Sequence, residues 1–174
     1  PSGGINESFS DIAGEAAKFY MHKDKPEAER NDWMLAGNVF KGGNDKALRY
    51  FDDPKKDGES IDNAKDFTLF MDPHYSSGVF NKAFYNLATT PNWNVAKAFK
   101  PFVVANQLYW KSNTGFDDAA CGVFKAAKDL EQNTDDVIAA FKNVGVNAEC
   151  KKDKEKDNKD NNKDNNKEET QEKA

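Results

Sequence analysis

Two carboxylates near the start of the chain, Glu7 and Asp11, are four residues apart in a segment whose apolar residues recur at helical spacing. Residues four apart share one face of an α-helix, so the two side chains would lie side by side. Ile12 and Phe19 make part of this helix apolar, and carboxylates that border a buried face cost free energy unless a positive group meets them. A metal ion, or a histidine bound to one, would meet that need. The alternative is an acidic first turn that the helix dipole favours.

A second pair, Asp72 and His74, flanks Pro73 directly before another segment with helical spacing. Proline favours an extended local backbone, in which residues i and i+2 project to the same side. A carboxylate in that place can orient the imidazole and hold its proton, which suits a fixed imidazolium that stabilises a developing oxyanion. A surface ion pair is the alternative interpretation.

Arg49 lies among apolar residues in a stretch, residues 47–54, that ends in two aspartates and a proline. Because the guanidinium donates in a planar fork, such an arginine can be buried as the bidentate partner of a carbonyl or a carboxylate. The alternative is a structural ion pair with no part in chemistry.

Helices must position these residues, and no segment shows the alternation that is typical of a strand. Apolar spacing predicts five helices, over about residues 6–21, 77–88, 95–111, 118–130 and 135–144. Pro101 is predicted to kink the third helix or to start a new one, while Thr134 caps the fifth and Gly145 ends it. Residues 22–73 are polar and rich in turn formers such as Gly42 and Gly43. The sequence therefore predicts a mainly α fold, an orthogonal multi-helix lobe with a loop-rich insertion after the first helix.

The composition divides the chain into a body, residues 1–150, and a tail, residues 151–174. The chain has 13 Phe, 5 Tyr and 3 Trp, enough for an aromatic core, yet its mean hydropathy is −0.91. The tail explains the low value, because its 24 residues include 8 Lys, 8 Asp or Glu and none of the large apolar types. We expect one folded domain and a disordered tail that acts as a spacer, with a binding role for the tail as the alternative.

The charges of the tail cancel, so the formal net charge of −5 belongs to the body. A mildly acidic domain without a basic stripe argues against nucleic acid as a partner. No apolar run approaches the ~20 residues that a membrane-spanning helix needs. We expect a monomer that is not inserted in a membrane.

Several separate segments, taken in order, resemble one family. They are residues 2–12, residues 48–49 with 52–54, residues 72–85, residues 120–123 and residues 140–146. Together they resemble the carboxy-terminal helical lobe of the thermolysin-family zinc endopeptidases, and the pseudolysin and vibriolysin branch more than thermolysin itself. The resemblance covers essentially all of residues 2–150.

The resemblance implies a His-His-Glu zinc site in which Glu7 is the glutamate ligand. Asp11 would accept a hydrogen bond from a zinc-bound imidazole and so fix its tautomer. His74 would stabilise the tetrahedral oxyanion, and Asp72 would orient the His74 ring. Enzymes of this family use water activated by zinc to attack the peptide carbonyl.

The resemblance also implies a substrate site. Arg49 would donate a hydrogen bond to the substrate carbonyl just beyond the scissile bond. Leu48 would line the pocket for an apolar residue on the leaving-amine side. The expected activity is that of a secreted neutral endopeptidase that cleaves protein or peptide substrates on the amino side of apolar residues.

One departure from the family is decisive for activity. The H-E-x-x-H helix of the family lies upstream of the glutamate ligand, and this sequence contains no such motif. Its two histidines are His22, expected at the surface, and His74. We therefore expect the isolated chain to be inactive until it is joined to an amino-terminal lobe. The alternative is a non-catalytic helical interaction module derived from a degenerate protease.

A second departure concerns calcium. The branch that the chain resembles has a calcium site between the first helix and the following loop, and Glu15 and Asp32 fit two of its carboxylate positions. Lys18 stands where a further carboxylate would be expected, which should weaken calcium binding severely. Surface ion pairing of Glu15 and Asp32 is the alternative.

The two cysteines, Cys121 and Cys150, could form one disulfide or remain as two buried thiols on composition alone. The segment that resembles the end of the helical lobe carries a cysteine pair at closely similar positions in the family. The resemblance therefore implies a Cys121–Cys150 disulfide and an oxidising, extracellular compartment.

Overall fold

Six α-helices and two very short strands form residues 1–39 and 46–150, the part of the chain that the structure, a computed structural model, describes. In chain order they are α1 (Ser2–Met21), β1 (Met34–Leu35), β2 (Arg49–Tyr50), α2 (Pro73–Ser76), α3 (Gly78–Ala88), α4 (Val95–Leu108), α5 (Phe116–Asp129) and α6 (Thr134–Lys142). Short 3-10 turns recur along the described connection between α1 and α2. The predicted mainly α fold with a loop-rich insertion after the first helix is confirmed.

Two features of the sequence-based interpretation lie outside the described residues. These are the tail, residues 151–174, and the turn-forming Gly42 and Gly43. Within the described ranges, none of the helices combines the length and the apolar character needed to cross a lipid bilayer.

The core is centred on α3, where the buried side chain of Phe80 contacts aromatic rings from the later helices. Its ring centroid lies 5.0 Å from that of Phe141 on α6 and 5.8 Å from that of Phe116 on α5. Phe102 on α4 and Trp110 just beyond it lie at 6.5 and 6.2 Å. Offset and edge-to-face contacts of this kind add to the free energy gained by burying the rings. Since α2 ends directly before α3, the packing of α3 also positions α2.

Pro101 lies inside α4, which continues past it as a single element, so the alternative in which Pro101 starts a new helix is wrong. A proline has no N–H, so the carbonyl of Lys97, four residues earlier, loses its helical donor. The side-chain amide of Gln132 donates to that carbonyl at 3.2 Å. Pro101 is itself buried. A partner from outside the helix thus replaces the missing hydrogen bond, and α4 continues as one element.

The strand pair was not predicted. Met34 of β1 lies opposite Tyr50 of β2, and Leu35 lies opposite Arg49, in antiparallel register. Two residues are too few to display an alternating pattern, so the sequence carries no strand signal here. The pair nevertheless fixes the place of Arg49 beside the first helix.

The start of α6 also differs from the prediction. Asn133, and not Thr134, is the capping residue, because its side-chain oxygen accepts a hydrogen bond from the Asp135 N–H at 2.9 Å. Thr134 is the first residue of the helix. The chain turns after α6 at Gly145, whose φ of 72° is one that glycine adopts at little cost.

Cys121 on α5 and Cys150 at the end of the described body form the disulfide that was expected. Their Cα atoms are 4.9 Å apart, within the usual range for a disulfide. The two residues are 29 positions apart in sequence. The bond therefore joins the segment after α6 back to the start of α5.

We expect the Cys121→Ser/Cys150→Ser variant to be less stable than the natural chain by about 3–4 kcal/mol, because the bond closes a long loop in the unfolded state. Urea denaturation of both proteins measures the difference. Mass spectrometry of non-reduced material provides the control, since a disulfide lacks the two thiol hydrogen atoms. Free thiols in protein from an oxidising compartment would contradict the assignment.

Candidate active site

The two acidic residues of α1 lie on one face, as expected, but in different environments. Glu7 is half-buried, whereas Asp11 has only 4% of its side chain exposed. A buried carboxylate must be matched by donors. Asp11 is therefore an anchor within the fold, while the carboxylate of Glu7 reaches the surface of the domain.

Glycines at the start of α1 allow α2 to approach it closely. A Cβ atom on Gly4 would lie 2.3 Å from the Oγ atom of Ser76, and one on Gly3 would lie 3.0 Å from Pro73. Because neither glycine has a Cβ atom, α2 can lie directly against the first turns of α1. This contact brings His74 to Glu7, with 3.3 Å between His74 Nε2 and Glu7 Oε2.

The Asp72–His74 pair forms as predicted, but by a different local structure. Asp72 caps α2, and its Oδ1 atom accepts from the backbone N–H of His74 at 2.9 Å and contacts ring Nδ1 at 2.8 Å. Pro73 begins a helix and is not part of an extended segment. Proline is well suited to the first turn of a helix, so the expectation of an extended backbone was wrong.

The cap also sets the charge of Asp72 and the orientation of the His74 ring. The hydrogen bond from the His74 backbone N–H, followed by that from its imidazole, lowers the pKa of Asp72 below its ordinary value. An ionised carboxylate can only accept, so Nδ1 carries a proton in this contact. Nε2 is thereby directed towards Glu7. The His74 side chain remains about half exposed, at 53%.

Arg49 of β2 forms a bidentate ion pair with Asp11. Its Nε and Nη2 atoms donate to Asp11 Oδ2 and Oδ1, each at 2.7 Å. The hydrogen bonds to Asp11 raise the pKa of Arg49 above its usual range, although burial acts in the opposite direction. Only 11% of the Arg49 side chain is exposed. Arg49 is thus the buried bidentate partner of a carboxylate in the same chain. A part for Arg49 in substrate binding stays a prediction.

Two further residues complete this pair, and the sequence-based interpretation missed both. Asn81 of α3 is buried, and its Nδ2 atom donates to Asp11 Oδ2 at 2.8 Å. Ser8 donates from Oγ to Asn81 Oδ1 at 2.7 Å, which fixes the orientation of the amide. The available signal was the position of Asn81, a polar residue among the buried positions of α3.

Leu48 directly precedes Arg49, and its backbone N–H donates to the Leu35 carbonyl at 2.9 Å. Half of its surface, 50%, is exposed. The residue directly before β2 thus presents an apolar side chain next to the arginine. The structure brings together Glu7 with His74, and Asp11 with Arg49, as two neighbouring contacts along one face of α1.

A family model for the alpha-helical domain of thermolysin metallopeptidases matches residues 1–146. The chain belongs to the thermolysin metallopeptidase family. The chain is 55% identical over 149 residues to the hemagglutinin/proteinase of Vibrio cholerae and to a zinc metalloprotease of Helicobacter pylori. It is 52% identical over 149 residues to the neutral protease of Vibrio proteolyticus.

The match covers 86% of this chain in all three comparisons. It covers 23% of each Vibrio relative and 55% of the Helicobacter pylori relative. The chain thus spans only part of the length of these thermolysin-family relatives. The family resemblance expected from the sequence motifs is confirmed.

The residues expected to hold calcium in this thermolysin-family domain are bound to a lysine. Lys18 Nζ lies 2.6 Å from Glu15 Oε1 and 2.6 Å from Asp32 Oδ1, and it donates to the Met34 carbonyl at 2.9 Å. An ammonium group occupies the point at which these oxygens converge. Glu15 and Asp32 therefore do not fit a calcium ion here. Both form ion pairs with Lys18, but Glu15 is fully buried and does not lie at the surface as the alternative stated.

The pKa values of these groups reflect the same contacts. Burial acts to lower the pKa of Lys18, but hydrogen bonds to Asp32 and Glu15 outweigh it and raise the pKa. Burial acts to raise the pKa of Asp32, and the Lys18 hydrogen bond lowers it overall. For the fully enclosed Glu15, burial prevails and its pKa is raised.

His22 follows α1 and is half-buried, with Nδ1 3.1 Å from the backbone carbonyl oxygen of Arg30. It is thus less exposed than the surface position expected for it. The structure assigns it to the loop after α1, where it contacts the backbone and none of the predicted site residues.

We expect Arg49→Met to destabilise the domain by about 3–5 kcal/mol, because it leaves the buried carboxylate of Asp11 without its charge partner. Urea denaturation of the intact protein measures the loss. Arg30→Met is a matched control, since Arg30 donates to backbone carbonyls of an exposed loop. Equal stability of the Arg49→Met variant and the natural protein would show that the ion pair contributes nothing.

Proposed function

We propose that this chain is the helical part of a zinc-dependent endopeptidase, to which it contributes the zinc-binding carboxylate of Glu7 and the oxyanion-binding imidazole of His74. One observation carries the proposal: His74, oriented by Asp72, directs Nε2 to within 3.3 Å of Glu7 Oε2. Two carboxylates and an exposed imidazole thus converge at the surface of α1. The names of the relatives, zinc metalloprotease and neutral protease, agree with this chemistry.

Catalytic zinc requires three protein ligands and an open position. Within residues 1–39 and 46–150 no three His, Cys, Asp or Glu side chains are grouped so as to hold a metal ion. Glu7 fits as one ligand, because its carboxylate is half-buried and reaches the surface beside the exposed imidazole of His74. We propose that two histidines and the general-base glutamate come from an H-E-x-x-H segment in an amino-terminal lobe of the same enzyme. Zinc bound there would polarise the peptide carbonyl and make water nucleophilic at neutral pH.

The role proposed for His74 follows from how the ring is held. The Asp72 carboxylate accepts from Nδ1 and prevents rotation of the ring, so Nε2 stays directed at the space beside Glu7. With a proton on Nε2, the ring can donate to an oxygen that gains negative charge in the transition state. A donor that is already in place costs no reorganisation when the charge develops.

The substrate is proposed from Arg49 and Leu48. Asp11 holds the guanidinium through two of its three nitrogens, which fixes its plane beside the site. From that position Arg49 can donate to the substrate carbonyl beyond the scissile bond. The half-exposed Leu48 offers an apolar surface next to it. We therefore propose cleavage of proteins or peptides on the amino side of apolar residues.

The disulfide supports a secreted enzyme, because such bonds persist in oxidising compartments. We propose that the protein acts as an extracellular monomer. Calcium is not part of the proposal, since Lys18 occupies the place between Glu15 and Asp32.

A non-catalytic interaction module is the second hypothesis for this chain. Measurements of proteolytic activity distinguish it from the endopeptidase.

We expect purified chain 1–174 to hydrolyse no casein in buffer that contains zinc, because it supplies a single zinc ligand. The same chain joined to an amino-terminal lobe with H-E-x-x-H should hydrolyse casein, and a zinc chelator should abolish the activity. Chelator-sensitive hydrolysis by the chain alone would refute the proposed division of ligands. Lack of activity in the joined protein would favour the interaction module.

In the joined enzyme, His74→Ala should lower kcat by about 10²–10³-fold, the usual effect of losing one oxyanion donor. The melting temperature should hardly change, since the side chain is 53% exposed. Asp72→Asn should produce a smaller loss in the same direction. His22→Ala is the matched control and should retain full activity; near-normal kcat in His74→Ala would show that the role assigned to His74 is wrong.

A further inference from the structure

Lys18 lies in a cluster of oxygen atoms, here called the Lys18 cluster, formed by Glu15, Asp32 and the carbonyl of Met34. The three distances from Nζ are 2.6, 2.6 and 2.9 Å. A lysine ammonium has three N–H donors and no acceptor, so the number of donors equals the number of acceptors. The Lys18 cluster is thus a cation site whose occupant belongs to the chain itself.

The carboxylate of Glu15 is held on its other side as well. It is fully buried, and Asn31 Nδ2 donates to its Oε2 atom at 2.8 Å and to its backbone carbonyl at 2.9 Å. The buried charge is therefore matched by an ammonium and an amide, as a buried ionised group requires. Glu15 has little freedom to turn towards a different cation.

A calcium ion makes different demands from an ammonium. It takes six to eight oxygen ligands at about 2.3–2.6 Å, and its affinity rises with the number of carboxylates. The Lys18 cluster offers two carboxylates, and a divalent ion between them would lie against the ammonium. Repulsion between like charges at contact distance opposes that arrangement.

The Lys18 cluster connects α1 to the strand pair. Met34, whose carbonyl accepts from Lys18, is the first residue of β1, and β1 pairs with β2. β2 carries Arg49, which returns to α1 through its ion pair with Asp11. Two contacts therefore tie α1 to the strand pair. Lys18 of α1 binds at the start of β1, and Arg49 of β2 pairs with Asp11 of α1.

We propose that the Lys18 ammonium is the resident cation of this junction, so that the chain here needs no divalent cation to hold the strand pair against α1. This departs from the calcium site that the family resemblance implies. The proposal does not depend on the proteolytic function, because its test reads folding and backbone protection.

The converse substitution tests whether the cluster is a cation site. Lys18→Glu would place three carboxylates and one carbonyl around the same centre, a set of hard oxygen ligands suited to calcium. Lys18→Met removes the charge and keeps much of the length of the side chain. Lys25→Glu makes the same charge change at an exposed position in the loop after α1 and is the matched control.

The experiment is thermal unfolding of the intact protein in EGTA and in excess calcium. We expect the natural protein and Lys25→Glu to melt at the same temperature in both buffers. Lys18→Glu should melt several degrees lower in EGTA and recover with calcium but not with magnesium. Lys18→Met should melt lower than the natural protein in both buffers, because Glu15 and Asp32 lose their cation.

Hydrogen exchange gives a local measurement that does not require every variant to be stable. The amide of Leu48, directly before β2, donates to the carbonyl of Leu35 in β1. Its exchange should be unchanged by EGTA in the natural protein and at least several-fold faster in Lys18→Met. Faster exchange in the natural protein on addition of EGTA would overturn the proposal.

Asp32→Asn locates any calcium effect in the natural protein. A rise in melting temperature with calcium that disappears in Asp32→Asn would overturn the proposal, because it would place the ion in the Lys18 cluster. A rise that persists in Asp32→Asn would arise elsewhere and leave this junction free of calcium, as proposed. A folded Lys18→Glu protein that does not respond to calcium would show that the cluster is not a cation site.

Discussion

The ion pair between Asp11 and Arg49 is the contact on which the arrangement of the site depends. A buried carboxylate is unfavourable in isolation, and here it accepts two hydrogen bonds from Arg49 and one from Asn81. These donors come from β2 and α3, whereas the carboxylate lies on α1. The cost of leaving the charge unmatched therefore holds three distant segments in one geometry. Ser8 adds a further constraint by fixing the amide of Asn81.

The site combines a buried pair with an exposed pair, and their burial separates their roles. Asp11 and Arg49 are almost fully buried, so their hydrogen bonds contribute to stability and position. Asp72 and His74 are about half exposed, at 49% and 53%, and surface pairs contribute little to stability. Their geometry comes instead from the helix cap at Asp72. Because the imidazole is both oriented and exposed, it can contact a ligand without any unfolding of the domain.

The Lys18 cluster holds a junction by a positive charge that the chain itself carries. Glu15 and Asp32 supply two carboxylates, and the side chain of Lys18 delivers the positive charge that lies between them. A tethered charge cannot diffuse away, so its occupancy does not depend on the concentration of an ion. The strand pair that carries Arg49 is joined to α1 through this cluster and through the Asp11–Arg49 ion pair.

The sequence by itself determined the local features of this protein. Apolar spacing gave five of the six described helices to within a few residues, because each amphipathic face is recorded in neighbouring positions. The short α2 was not predicted. The family motifs brought Glu7, Asp11, Arg49, Asp72 and His74 into one expected site, and they indicated the disulfide. The sequence also marks Lys18 as a departure from the calcium site that the resemblance implies.

The tertiary structure alone decided which distant residue hydrogen-bonds to each buried polar group. Gln132 supplies the donor that Pro101 removes from Lys97, and Asn81 completes the coordination of Asp11. These partners are 35 and 70 residues apart in sequence. Periodicity reports which face of an element is buried, but not which distant polar group will meet a buried charge. That choice is made by packing in three dimensions, because an unmatched buried charge or carbonyl is too costly to leave.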